Sequence, residues 1–276
     1  MSNLMILSRY MTFEHFVDLC SQGLYLPTAN FFADPWEGLP KLCWDILAER
    51  QETEMCNKFI QDQIKMGNPS FNDQDLTSIP KMPSLENIKK AKSWIYVSCW
   101  HNSEEESMAM WKLYGNRGVC LEVNFEGLQS DFEQFYKDQG RSLVIIARPV
   151  EYNKPGERIN NLSLAHFSFY DKDSSYANNF PHIAAMGGLF LKHNAFTFEK
   201  EFRIVCDTFF ISASHGLIDN SREDEYRVKL SNKTVRKVKL FPGSSQEMLK
   251  LAGMVLRQHT YGCEVSRSAI DLSADY

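Results

Sequence analysis

The chain has 276 residues, and its 30 Lys and Arg against 35 Asp and Glu (formal charge -5) exclude wholesale wrapping of duplex nucleic acid through its phosphates, leaving at most a local basic groove. It is 43% hydrophobic with 19 Phe, so a sizeable core can form at a length near the upper end for one domain. Its seven cysteines include no Cys-x-x-Cys pair, no apolar run reaches 18 residues, and no basic segment followed by an apolar one opens the chain, so we expect a soluble cytoplasmic protein with reduced, mostly buried thiols.

Leu4–Leu7 reads as a short apolar strand leading into Ser8-Arg9-Tyr10. Thr12 is placed to cap a helix over Phe13–Gln22, with Phe13, Phe16, Val17 and Cys20 as its apolar stripe and Gly23 as its stop. Leu24–Pro27 reads as a second strand, and a rigid loop rich in aromatic and turn-forming residues runs from Thr28 to Gly38. Trp44–Lys65 has the spacing of an amphipathic helix. The polar stretch 66–83, interrupted by Gly and Pro, reads as a mobile insertion within the domain, and a short helix is expected over Leu85–Lys90.

Ser93–Trp100 alternates and is rich in Trp, Tyr and Val, as a core strand does. Ser103 and Glu106 have capping-box spacing before a helix that carries Met108, Trp111, Leu113 and Tyr114 and stops at Gly115. Gly118–Phe125 is a strand with Val119, Leu121, Val123 and Phe125 on one face, and Leu143–Tyr152 is another, broken by Pro149. The stretch 153–180 is packed irregular structure or a lid, and Pro181–Lys192 is a helix softened by Gly187 and Gly188.

From Phe198 to Cys206 the period is two, which predicts a half-buried strand. Phe198, Lys200, Phe202, Ile204 and Cys206 share one face, and Glu199, Glu201, Arg203 and Val205 the other. Tyr226–Leu230, Val235–Leu240 and Gly262–Ile270 read as strands, and Ser245–Gln258 as a helix with Met248, Leu249, Leu251, Met254 and Val255 available for burial. About eight strands mixed with helices, and no internal repeat, indicate a single α+β domain over 1–276: a mixed or antiparallel sheet core with flanking helices.

The polar face of the Phe198–Cys206 strand places Glu199, Glu201 and Arg203 within about 13 Å. Either it is a solvated face with cross-strand ion pairs, or it lies in a partly dry cleft where one glutamate acts on a ligand and Arg203 fixes its neighbour. Arg9 is either a surface arginine or a bidentate holder of a diphosphate or carboxylate, with Tyr10 packed on a base or sugar. Pro35 restricts Asp34 and Gly38 lets the chain turn back, so this loop either presents Asp34 and Glu37 beside Trp36 at a fixed angle or ties itself to its own amides. Trp94, Tyr96, Trp100, His101, Trp111 and Tyr114 crowd one strand-to-helix passage; most are core, with Trp100 and His101 on a pocket wall and Ser98 offering a hydroxyl. No metal is predicted, because His166, His182, His193 and His259 are scattered and His-Glu-x-x-His is absent. Walker, dinucleotide-binding and nucleophile-elbow motifs are absent as well.

Several spaced motifs resemble the bacterial DUF2971 proteins over nearly the whole chain. In the first half they are Ser8-Arg9-Tyr10, Leu24-Tyr-Leu26, Asn30-Phe-Phe-Ala-Asp-Pro-Trp-Glu37, Val97-Ser-Cys-Trp100, Met110-Trp-Lys-Leu-Tyr-Gly115 and Gly118-Val119. Later come Lys192, Phe198-Glu-Lys-Glu-Phe-Arg203, Val238-Lys-Leu-Phe-Pro-Gly243 and Ser268-Ala-Ile270. That family is defined by sequence and implies no reaction. More distantly, the order Arg9, Ser98, Glu199-Lys200-Glu201 resembles ADP-ribosyltransferases of the arginine-serine-glutamate type, although Ser98 is followed by Cys99 and Trp100 where those enzymes commonly have threonine and serine.

The second resemblance implies an ADP-ribosyltransferase-like fold with NAD as substrate. Arg9 would bind the diphosphate or ribose, Ser98 would support the nicotinamide pocket, and Glu201 would hold a ribose hydroxyl and stabilise the oxocarbenium-like state. Glu199 would orient or deprotonate a macromolecular acceptor, protein or nucleic acid. Two other readings stay open: a non-catalytic sensor or adaptor binding a nucleotide or peptide between Trp36, Trp100, Trp111 and Arg203, and a metal-independent nuclease built on Asp34, Glu37 and Lys192.

Overall fold

Alternation of apolar and polar residues, the signal that marks most strands in the sequence, reappears as one broad sheet. A computed structural model of the chain describes residues 5–32, 37, 65, 90–139, 143–153, 167–169, 185–208 and 226–270. Asp34, Trp36, the 66–83 insertion, the helices expected over 44–65 and 85–90 (save Lys65 and Lys90) and most of 153–180 lie outside the described residues.

In chain order the strands are β1 (Ile6–Met11), β2 (Leu24–Tyr25), β3 (Ile95–His101), β4 (Val119–Asn124), β5 (Val144–Pro149) and β6 (Glu151–Asn153). They continue as β7 (Phe167–Phe169), β8 (Leu191–His193), β9 (Glu201–Asp207), β10 (Arg227–Val228), β11 (Val235–Leu240) and β12 (Glu264–Arg267). Eight of them form one sheet in the order β12, β11, β4, β1, β3, β9, β5, β7. Neighbours are antiparallel except β11 and β12, so the protein is α+β with a mixed sheet.

One face carries the main core. Val119, Leu121 and Val123 of β4 and Phe202, Ile204 and Cys206 of β9 meet helices α1 (Phe13–Gln22), α3 (Phe125–Gln139) and α4 (Gln246–Gln258) there; α2 is the short turn Met108–Met110. Each fully buried Leu or Phe in such a layer contributes about 1.5–3 kcal/mol. On the opposite face Val97, Val144 and Val205 pack under the segment from Ala185 to Leu191, and Tyr10 and Cys120 pack under Met110 and Trp111.

Several expectations change in detail. β1 runs through Ser8-Arg9-Tyr10 instead of ending before it, because the whole motif pairs with β4. Thr12 caps α1, its hydroxyl accepting from the His15 amide at 3.3 Å, but Leu19 replaces Val17 on the buried stripe. The cap before Trp111 is Ser107, which accepts from the Met110 amide, and Glu106 turns instead to the Trp111 indole. The helix α3 has no counterpart in the sequence reading. The expected 181–192 helix is described only from residue 185, is helical over 185–188, and passes into β8. On α4 Leu251 and Met254 are exposed, while Ala252 and Leu256 are buried.

The sheet also has a seam. β1 pairs with β4 along its length and β3 with β9 along its length, yet β1 and β3 meet at a single register position, Ser8 opposite His101. Further back, the same edge of β3 is taken by Pro27, whose carbonyl accepts from the Val97 amide at 2.9 Å, and by a bridge between Thr28 and Tyr96. Between those two attachments β3 has no ladder partner on its β1 side among the described residues.

Candidate functional site

At that seam lies a cleft of about 860 Å³. β1 gives it Ser8, Arg9 and Tyr10, β3 gives Cys99, Trp100 and His101, and β9 with the turn before it gives Glu199 and Glu201. Phe31, Phe32, Glu37, Met110, Tyr114, Lys192, His193 and Phe196 complete the wall.

The carboxylate side departs from a half-buried strand. β9 is buried throughout and begins at Glu201. Glu199 ends a 3-10 turn, Asn194–Glu199, and Lys200 in the left-handed region (φ 42°) re-aims the chain between them. A non-glycine residue held there costs about 1–2 kcal/mol, which surrounding contacts must offset.

Those contacts are ionic and dry. Arg203, fully buried, donates from Nε to Glu201 Oε1 at 2.8 Å and from Nη2 to Glu201 Oε2 at 2.7 Å. Its Nη2 also reaches Glu37 Oε1 at 3.0 Å, Nη1 donates to the Leu189 carbonyl at 2.5 Å, and the Phe32 ring covers the guanidinium at 4.7 Å. Lys192 Nζ lies 2.5 Å from Glu199, 3.0 Å from Glu37 and 3.4 Å from Glu201, and Tyr114 donates its hydroxyl to Glu199 at 3.0 Å. Three carboxylates therefore share two cations, leaving one negative charge in excess. Burial alone raises the Glu201 carboxyl, but the charge and hydrogen bonds of Arg203, with Lys192, outweigh it and bring the pKa down to about 2. Burial works against the charge on Lys192 too, and there Glu201 and Glu37 prevail and raise its pKa.

The other side is the cation Arg9. Arg9 reaches into the seam and donates from Nη1 to Ser98 Oγ at 3.0 Å; the same hydroxyl accepts from the Trp100 indole at 2.9 Å. The guanidinium carbon stands 5.7 Å from the Trp100 ring. Burial lowers its pKa, with Cys99 acting the other way, and no carboxylate pairs with it among the described residues. A guanidinium stays protonated even so.

Between the two sides sits His101, 3% exposed, whose Nδ1 lies 2.5 Å from the Glu199 carbonyl oxygen. Burial lowers its pKa, the Glu199 contact opposes, and Lys200 adds to the lowering.

The structure thus gathers Arg9, Tyr10, Glu37, Trp100, Lys192, Glu199 and Glu201 on one cleft, with Ser98 and Arg203 fully buried behind them. Trp111 is not on the wall: it packs edge-on against Tyr10 at 4.9 Å and Phe241 at 5.6 Å, with its indole on Glu106. Tyr114, Cys99 and Phe196 line the cleft without having been singled out as site residues. Cys99 shares the face of Glu201 only through the β3 to β9 register, which no local pattern encodes.

A family model described as "Protein of unknown function (DUF2971)" matches residues 110–204, which include Lys192, Glu199, Glu201 and Arg203. No curated protein matches the chain. No solved structure matches it either. Among the described residues no helix is long and apolar enough to cross a membrane.

Proposed function

We propose that this DUF2971-like chain binds NAD in the cleft between β1 and β3, breaks the bond between nicotinamide and ribose, and passes the ADP-ribosyl group to water or to a macromolecular acceptor. The observation that carries the reading is the polarity of the cleft: an arginine with no carboxylate partner among the described residues on one side, and on the other a glutamate cluster whose Glu201 is held ionised by Arg203 and Lys192. Its volume lies within the range that encloses organic ligands.

In this reading Arg9 takes the diphosphate, whose charge supplies its counter-ion, while Trp100 and Tyr10 offer ring surfaces. As the bond breaks, its electron pair goes to the nicotinamide nitrogen and positive charge develops on the ribose. Glu201, ionised far below neutral pH, faces that charge from a site already ordered by Arg203 and Lys192. The acceptor oxygen then forms the new bond to the anomeric carbon. An ADP-ribosyltransferase-like architecture is part of the same proposal.

A second reading, a nucleotide sensor without turnover, is favoured by one fact: Arg203 occupies both oxygens of Glu201. Nicotinamide release from NAD, followed by chromatography, separates the two. The transferase reading expects release by the wild type, a loss of at least about tenfold in Glu201→Gln, and weaker ADP-ribose binding in Arg9→Gln. Tight ADP-ribose binding with no release would establish the sensor instead.

A further inference from the structure

Resting on the NAD reading, we infer that His101, not Glu199, is the base that takes the proton from the attacking hydroxyl. The Glu199 carboxylate is already engaged at both oxygens, by Lys192 Nζ at 2.5 Å and by the Tyr114 hydroxyl at 3.0 Å. His101 is the opposite case. It is 3% exposed, it lines the cleft, and its one side-chain hydrogen bond among the described residues runs from Nδ1 to the Glu199 carbonyl at 2.5 Å.

A carbonyl oxygen only accepts, so Nδ1 carries the hydrogen and Nε2 carries the lone pair. Nε2 has no hydrogen-bond partner among the described residues, and it is not among the buried atoms left unsatisfied there. It therefore opens onto the cleft. The backbone of Glu199 fixes tautomer and ring orientation, the task that a carboxylate performs for other histidine bases.

The groups facing the imidazole come from every neighbouring element. Ser8 stands opposite on β1, the Tyr10 ring meets it at 5.8 Å, Glu201 stands opposite on β9, and Cys99 shares its strand face. Lys200 lies in the adjoining turn, and Arg9 and Lys192 share the cleft. Burial and Lys200 together hold the imidazole neutral at pH 7 against the opposing carbonyl contact. When nicotinamide leaves with the electron pair of the broken bond, the acceptor oxygen bonds to the anomeric carbon and its proton moves to Nε2. The imidazolium keeps its Nδ1 bond to Glu199 and loses a proton to solvent afterwards.

A base works above its pKa, so release should fall as pH drops through a midpoint below the ordinary 6.5. The test is nicotinamide release against pH in the wild type and in His101→Asn, whose amide can keep the bond to the Glu199 carbonyl. Expected are a kcat lower by about 100-fold or more, a KM little changed, and loss of the acid limb. A variant with wild-type kcat, or with the same acid limb, overturns the role of His101 and leaves the NAD reading standing; a wild type that releases no nicotinamide overturns both. Should the variant fail to fold, long-range proton–nitrogen NMR of the wild type at pH 7 decides. A neutral ring protonated at Nδ1 supports the assignment, and an imidazolium or a ring protonated at Nε2 overturns it.

Discussion

Arg203 is the side chain whose loss the cleft should tolerate least. It is fully buried, and without it Lys192 is the one cation left to Glu201 and Glu37 among the described residues. Removing one partner of a buried ion pair typically costs 3–5 kcal/mol, because a charge is left uncompensated. Urea unfolding of Arg203→Met should show a loss of about that size. The same network sets an acid limit: the folded-state pKa of Glu201 is depressed from 4.5 to about 2, so its stabilisation is complete above the unfolded value and is lost as pH falls through that window. The contribution is on the order of 3 kcal/mol. Urea midpoints at pH 5 and pH 3 should therefore fall more steeply in the wild type than in Glu201→Gln, which cannot titrate; parallel falls would remove Glu201 from the acid response. The pairing of Glu201 with Arg203 was legible in their spacing, since alternate strand residues share a face. The approach of Glu37 was not, because 166 residues separate it from Arg203 and no local pattern encodes such a contact.

Among the elements, two glycines mark where backbone geometry admits a side chain and where it does not. Gly118 immediately precedes β4, after the turn through Asn116 and Arg117, both at positive φ, and a Cβ there would lie 2.1 Å from the Met11 carbonyl oxygen and 2.7 Å from that of Gly115. Backbone cannot move aside as a side chain can, so Gly118→Ala should cost at least about 2 kcal/mol. Gly253 lies inside α4, where a Cβ would meet only the tip of the exposed Arg257 at 3.3 Å. Gly253→Ala should stabilise by about 0.5–1 kcal/mol through helix propensity. Thermal and urea melts of both variants check the opposite signs. α3 shows why an element can be invisible in sequence. Leu128, Phe132 and Phe135 do mark a buried face, but Gly127 and Asp131 interrupt the pattern. Both serve a neighbour: a Cβ on Gly127 would lie 2.7 Å from the Thr234 hydroxyl, and Asp131 accepts from Thr234 at 2.5 Å and from the Ser231 amide at 2.9 Å. Tertiary contact chose those residues over helix propensity, so local periodicity stopped at β4.

At the scale of the molecule, the fold brings distant stretches to a single break in its sheet. β1 and β9 flank β3; register sets Arg9 on the face of Leu121 and Glu201 on the opposite face with Ser8 and His101, so both line one cleft only through the opening that the single β1 to β3 register position leaves. The strands themselves were readable from alternation, whereas their order was not, because the partner of each edge is chosen by packing far along the chain. A sheet seam with one point of attachment should open more readily than the ladders beside it, since local stability follows local pairing. Hydrogen exchange with and without ADP-ribose tests both the seam and the site. Without ligand, the β1-facing amide of Cys99 should exchange faster than the amides of β4. With ligand, protection should appear in peptides spanning 6–11, 95–101 and 191–201. The shallow groove of about 610 Å³ between α4 and β12 supplies the control, because its lining offers Lys250 and Arg257 on an apolar surface with no aromatic wall beyond Tyr261. Protection confined to peptides spanning 249–265 would move the ligand to that groove and leave the polarity of the β1 to β3 cleft as an internal feature of folding.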